Sequence, residues 1–109
     1  MLPREDRRER VTERYTNAMP LMSSNEPGHW DFRIDNVCFY MTNGEQRVRC
    51  AITDRALEVL EPNFGRTEKG RLDAFEMHRA IIERTASAKF DTQGWEDDRI
   101  TILIRATDL

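Results

Sequence analysis

Apolar and polar residues alternate from Trp30 to Ile52, the two-residue period of half-buried strands. Two turn signals divide this stretch: Asn43-Gly44, a favoured two-residue hairpin turn, and Asp35-Asn36, whose residues tolerate positive φ. A turn at Asn43-Gly44 sets Met41 opposite Gln46, Phe39 opposite Val48 and Val37 opposite Cys50. A turn at Asp35-Asn36 sets Ile34 opposite Val37, Phe32 opposite Phe39 and Trp30 opposite Met41. Both registers put Trp30, Phe32, Ile34, Val37, Phe39, Met41, Val48, Cys50 and Ile52 on one side, the expected core face. Asp31, Arg33, Cys38, Tyr40, Arg47, Arg49 and Ala51 share the other.

Beyond Ile52 the period lengthens. Thr53-Asp54 caps a short helix from Asp54 to about Glu61, ended by Pro62-Asn63-Phe64-Gly65. A longer helix is expected from about Arg71 to Lys89, with Leu72, Phe75, His78, Ile81, Ile82 and Ala86 on the face that covers the sheet. After a turn region from Asp91 to Asp98, the β-branched run Arg99 to Arg105 reads as a fourth strand, with Leu103 facing away from Ile100, Ile102 and Ile104. Ahead of the meander, residues 4–18 carry only a thin apolar stripe of Val11, Tyr15 and Ala18, a helix in need of a partner. Residues 19–28, with Pro20, Pro27 and Gly28, read as a linker. The expected architecture is α+β: a helical arm and linker over residues 1–28, then one domain over residues 29–109. In that domain a three-stranded antiparallel meander and a fourth strand are covered on one face by helices.

Composition narrows the function classes. At 109 residues and 12.9 kDa the chain holds one small core. Its mean hydropathy of -0.73 is polar, yet 39% hydrophobic residues keep it outside the disordered class. A net charge of -3 argues against bulk attraction to nucleic acid or anionic membrane, although 15 Arg against 2 Lys leave room for a local basic patch. No apolar run approaches the ~18 residues of a membrane span. The start MLPREDRRER has charges where a signal peptide needs apolar residues, so a cytoplasmic protein without a membrane partner is expected.

No catalytic or cofactor motif stands out, and the expectation is a chain without enzyme activity, cofactor or metal. Cys38 and Cys50 fall on opposite faces of the expected sheet, so a bridge between them is implausible and both thiols should be reduced. Cys50 reads as a small core residue. Cys38, between Arg33 and Arg49 in the expected register, has the cationic surroundings that favour a thiolate. It lacks a base: His29 would lie about 13 Å along the first strand, and His78 sits on the helix's apolar arc. Two separated Cys and two separated His show no zinc spacing. Glu96-Asp97-Asp98 lacks calcium-loop spacing, and Gly65 and Gly70 form no phosphate loop. Arg79 is expected to pair with an acidic group such as Asp108.

The order of elements, with Cys50-Ala51-Ile52-Thr53, the F-x-x-x-R element Phe75 to Arg79, and Asp108, resembles the small proteobacterial domain of unknown function 1488 over roughly residues 30–109. That resemblance implies a fold and no activity. The functional expectation is a small noncatalytic interaction or regulatory module, homodimeric, with self-contact through Val11, Tyr15, Ala18 and Leu103 and room for a protein partner. The alternative is a nucleic-acid accessory protein using a surface patch of Arg33, Cys38, Tyr40, Arg47 and Arg49, where an aromatic among arginines stacks bases.

Overall fold

The computed structural model of the chain describes residues 21–44, 46–93 and 102–109; Val11, Tyr15, Ala18 and the turn around Trp95 lie outside them. The described fold is α+β, a mixed five-stranded sheet with three helices on one face. Strands β1 (Met22–Ser23) and β2 (His29–Asp31) pair end to end along one side of β3 (Asn36–Asn43). Strand β4 (Gln46–Thr53) pairs along the other side of β3, and β5 (Ile102–Ile104) runs parallel to β4. Helices α1 (Asp54–Leu60), α2 (Glu68–Met77) and α3 (Arg79–Gln93) connect β4 to β5, and a 3-10 turn follows at Ala106–Asp108. No helix among the described residues is long and apolar enough to cross a membrane.

The face assignment of the two long strands is as the alternation predicts: Val37, Phe39, Met41, Val48, Cys50 and Ile52 are all buried in one core. The register differs. Asn43 pairs with Gln46, so Phe39 lies opposite Cys50 and Val37 opposite Ile52, a slide of two residues. The loop lies one position later than expected, with Gly44 taking the positive φ of +66°. A slide of two preserves side-chain parity, so the core face survives it.

At the first turn the difference in register has larger consequences. Trp30 pairs with Val37 and Asp31 with Asn36, leaving Phe32, Arg33, Ile34 and Asp35 as a four-residue turn. Phe32 is 72% exposed and Ile34 41%, where the alternation puts both in the core. Asp31 wins the turn: its carboxylate accepts from the Arg33 N–H and its carbonyl from the Ile34 N–H, the local bonds by which aspartate starts a turn. Asp35 closes it in the left-handed region at φ 55°.

The segment read as a linker joins the sheet. Leu21 is buried in the core, β1 pairs with β3, and Ser24 Oγ donates to the Tyr40 carbonyl at 2.7 Å where the edge strand is interrupted.

Three core contacts hold the helices to the sheet. Thr53 caps α1, its hydroxyl accepting from the Ala56 N–H, and Ala56 and Leu57 are buried. The Phe75 ring of α2 packs 5.0 Å from that of Phe39. Ile82, Ala86 and Phe90 of α3 complete the layer. The single helix expected from Arg71 to Lys89 is two helices, broken at His78 (φ -109°, ψ 19°), whose Nε2 lies 3.0 Å from Glu61 Oε1. Unbroken, residues 68–93 would span about 39 Å at 1.5 Å per residue, well beyond the ~27 Å of an eight-residue strand. The bend lets α2 lie against β2 and β3 while α3 follows β5 and β1.

Arg79 does not reach Asp108. It ties Glu76, Glu83 and the Glu26 carbonyl, whereas Asp108 takes Lys89, with Nζ 2.8 Å from Oδ2.

Gly70 sits in the first turn of α2, donating to the capping Thr67 hydroxyl, and a Cβ there would lie 1.9 Å from the Phe64 carbonyl oxygen. Gly70→Ala, which favours an ordinary helix by about 1 kcal/mol, is therefore expected to destabilise this one by about 1–3 kcal/mol through overpacking. An unchanged or raised Tm in calorimetry would contradict that close approach. Burial acts to raise the Asp108 pKa but is outweighed by the Arg105 N–H, the Lys89 hydrogen bond and both cations, so it stands below the ordinary 3.8. Its contribution to stability is complete above that value and is lost as pH falls through the lower folded pKa. The Tm gap between the native chain and Asp108→Asn should be constant near neutrality and close below pH 3.8; a gap unchanged in acid would contradict it.

Candidate functional site

The face of the sheet opposite the core carries the polar set. Across four strands one row reads His29, Cys38, Ala51, Leu103, and the next reads Tyr40 and Arg49. Cys38 and Ala51 are fully buried and Leu103 is half-buried. The ladder neighbours of Cys38 are thus His29 and Ala51 rather than Arg33 and Arg49. His29, placed about 13 Å away by the expected register, stands directly across the pair from Cys38.

The patch expected from sequence divides into two clusters around two carboxylates. In the first, Asp31 is nearly buried and receives a bidentate pair from Arg33, Nε to Oδ1 and Nη2 to Oδ2, both at 3.1 Å. Arg49 Nη2 lies 3.7 Å from Asp31 Oδ2 and 3.4 Å from Cys38 Sγ. The Arg33 hydrogen bond outweighs burial and, with the backbone N–H and both guanidinium charges, holds Asp31 below the usual aspartate range. Arg33, although paired, remains 76% exposed.

In the second cluster Glu26 pairs with Arg47 through both carboxylate oxygens, with Nε to Oε2 at 3.2 Å. The Arg47 guanidinium lies over the Tyr40 ring, 3.7 Å from its centroid. Tyr40 and Arg47, aligned in the expected register, meet diagonally instead, since Arg47 pairs with Thr42. Glu26 falls in the segment read as linker, so nothing in its surroundings marked it as a partner.

A cleft of about 400 Å³ opens beside the first cluster, lined by His29, Trp30, Asp31, Phe32, Arg33 and Arg49. Phe32 is the residue the alternation hides, because its parity matches the core. The signal against that reading is Asp31 itself, a turn former two residues before Arg33.

The two cysteines are free and sit on opposite faces. Cys50 is in the core, where burial, with the negative charge of Glu83 second, pushes its thiol pKa up to about 12. It stays protonated at neutral pH and behaves as a small hydrophobe. His78 is half-buried and bonded to Glu61 at the helix break, away from this face.

The fold is shared with a solved structure, a protein of unknown function from the DUF1488 family of Shewanella loihica PV-4. The two are 18% identical with a TM-score of 0.70, covering 80% of this chain and 94% of that one. No curated protein matches the chain. The family pattern described as "Protein of unknown function (DUF1488)" matches residues 24–103, taking in both carboxylate clusters and all three helices, and the chain therefore belongs to the DUF1488 family.

Proposed function

We propose that the protein is a small noncatalytic interaction module that pairs with a second copy of itself, and that its contact surface is the β2–β3 turn. The observation that carries this reading is Phe32, held 72% exposed on a turn fixed by the Asp31 hydrogen bonds, with Ile34 two residues on. An ordered aromatic in water is a cost to a lone domain and an anchor for an interface. The cleft flanked by Trp30 adjoins the same turn, so one patch offers both a projecting ring and a recess, as a two-fold interface requires. The exposed Arg33 supplies a polar rim.

The noncatalytic part of the reading draws support from Cys38, the one nucleophilic thiol on this face, which is fully buried. The nucleic-acid alternative draws less: Arg47 is bound to Glu26 and covers one face of Tyr40, which takes that face from base stacking. The further self-contact expected through Val11, Tyr15 and Ala18 falls outside the described residues. A cytoplasmic location remains part of the proposal, in keeping with two free thiols.

Light scattering at high micromolar concentration tests it. The native chain is expected at twice 12.9 kDa and Phe32→Ser close to 12.9 kDa. A native chain that stays monomeric, or a Phe32→Ser variant that dimerises as well as the native chain, would sink this reading.

A further inference from the structure

The outward edge of β5 is closed by two side chains. Asn43 and Gln46 flank a two-residue loop, the position of a hydrogen-bonded closing pair, so Val48, Cys50 and Ile52 turn their backbone groups toward β3. Ala51 lies between them in alternation and turns its groups toward β5. Across the parallel pairing Ala51 bonds the backbones of Ile102 and Ile104, which leaves the N–H and C=O of Leu103 pointing away from β4. On that far side Lys89 Nζ donates to the Leu103 carbonyl at 2.6 Å and to Asp108 Oδ2 at 2.8 Å. The same Oδ2 accepts from the Arg105 N–H at 2.8 Å.

Leu103 and Arg105 are alternate residues of extended backbone, so these are successive groups on one edge. The ammonium supplies a donor, and the carboxylate an acceptor, where a neighbouring strand would present an N–H and a C=O. Lys89 is only 7% exposed, a rare environment for a lysine and one that needs its partners.

We propose that the Lys89–Asp108 pair stands in for a neighbouring strand and guards this edge, and that its removal opens β5 to antiparallel pairing with β5 of a second copy of this chain. The released groups are self-complementary. In a two-fold ladder centred on Ile104, the Arg105 N–H of each copy meets the Leu103 C=O of the other, in both directions. The run Ile102-Leu103-Ile104 also has the β-branched character that makes an unguarded edge adhesive. This inference does not rest on the contact assigned to Phe32.

The test is made in the Phe32→Ser background, so that turn-mediated pairing does not contribute. Lys89→Met keeps the aliphatic stem and removes the donor; Asp108→Leu keeps a similar shape and removes both the charge and the acceptor. Each is expected to double the mass seen by light scattering at high micromolar concentration, with unchanged far-ultraviolet circular dichroism. Lys89→Arg, which retains a donor, should stay at the mass of the background. Folded Lys89→Met and Asp108→Leu variants that remain at background mass would overturn the proposal. So would loss of the fold in both, which would make the pair a strut rather than a guard.

Discussion

The eight-pair antiparallel ladder between β3 and β4 is the constraint from which the rest is measured. Its pleat sends Val37, Phe39, Met41, Val48, Cys50 and Ile52 to one side, and the helices cover that apolar side. The β3 edge left over is filled by two short strands rather than one, with Ser24 bonding the Tyr40 carbonyl between them. The β4 edge takes β5 in parallel, a pairing that needs a long crossover, and all three helices lie in that crossover.

The opposite face is organised by charge compensation. Arg33, Arg47 and Arg49 each find a carboxylate, and Asp31 and Glu26 come from segments beside the ladder rather than from β3 or β4. Such pairs near solvent contribute little singly. Their effect here is positional: Asp31 fixes the turn that displays Phe32, and Glu26 fastens the segment before β2 against Arg47. Arg33, 76% exposed, stays hydrated if the Asp31 carboxylate is removed, so that loss would be felt at the turn rather than as an unpaired charge.

Parity was legible in the sequence and register was not, and the difference has a physical origin. Alternation repeats every two residues, so slides of two at the β3–β4 turn and four at the β2–β3 turn leave the core pattern of β3 and β4 unaltered. The choice among such slides belongs to turn chemistry, where Asp31 outcompetes Asp35-Asn36 through bonds to its own following backbone. That choice decides the neighbours of Cys38 and the exposure of Phe32, the two facts on which the site depends. Glu26 and the guard at Lys89 were hidden for another reason: both act through contacts with residues far along the chain, which no local pattern encodes. Residues 68–93 show the same limit, since Leu72, Phe75 and Ile82 keep helical spacing through the bend at His78.

The parallel pairing of β5 has a consequence for the entropy of folding. The β3–β4 hairpin joins residues close in sequence and can close within microseconds. By contrast, Ile102 and Cys50 are separated by the whole helical layer, and their contact must overcome the chain entropy of that long loop before it gains any burial. The pairing of β5 therefore carries the larger entropic cost of the two, and it is the pairing that occupies the outward backbone groups of Ala51. A chain with residues 102–104 out of place would thus carry a second adhesive edge, on β4 itself.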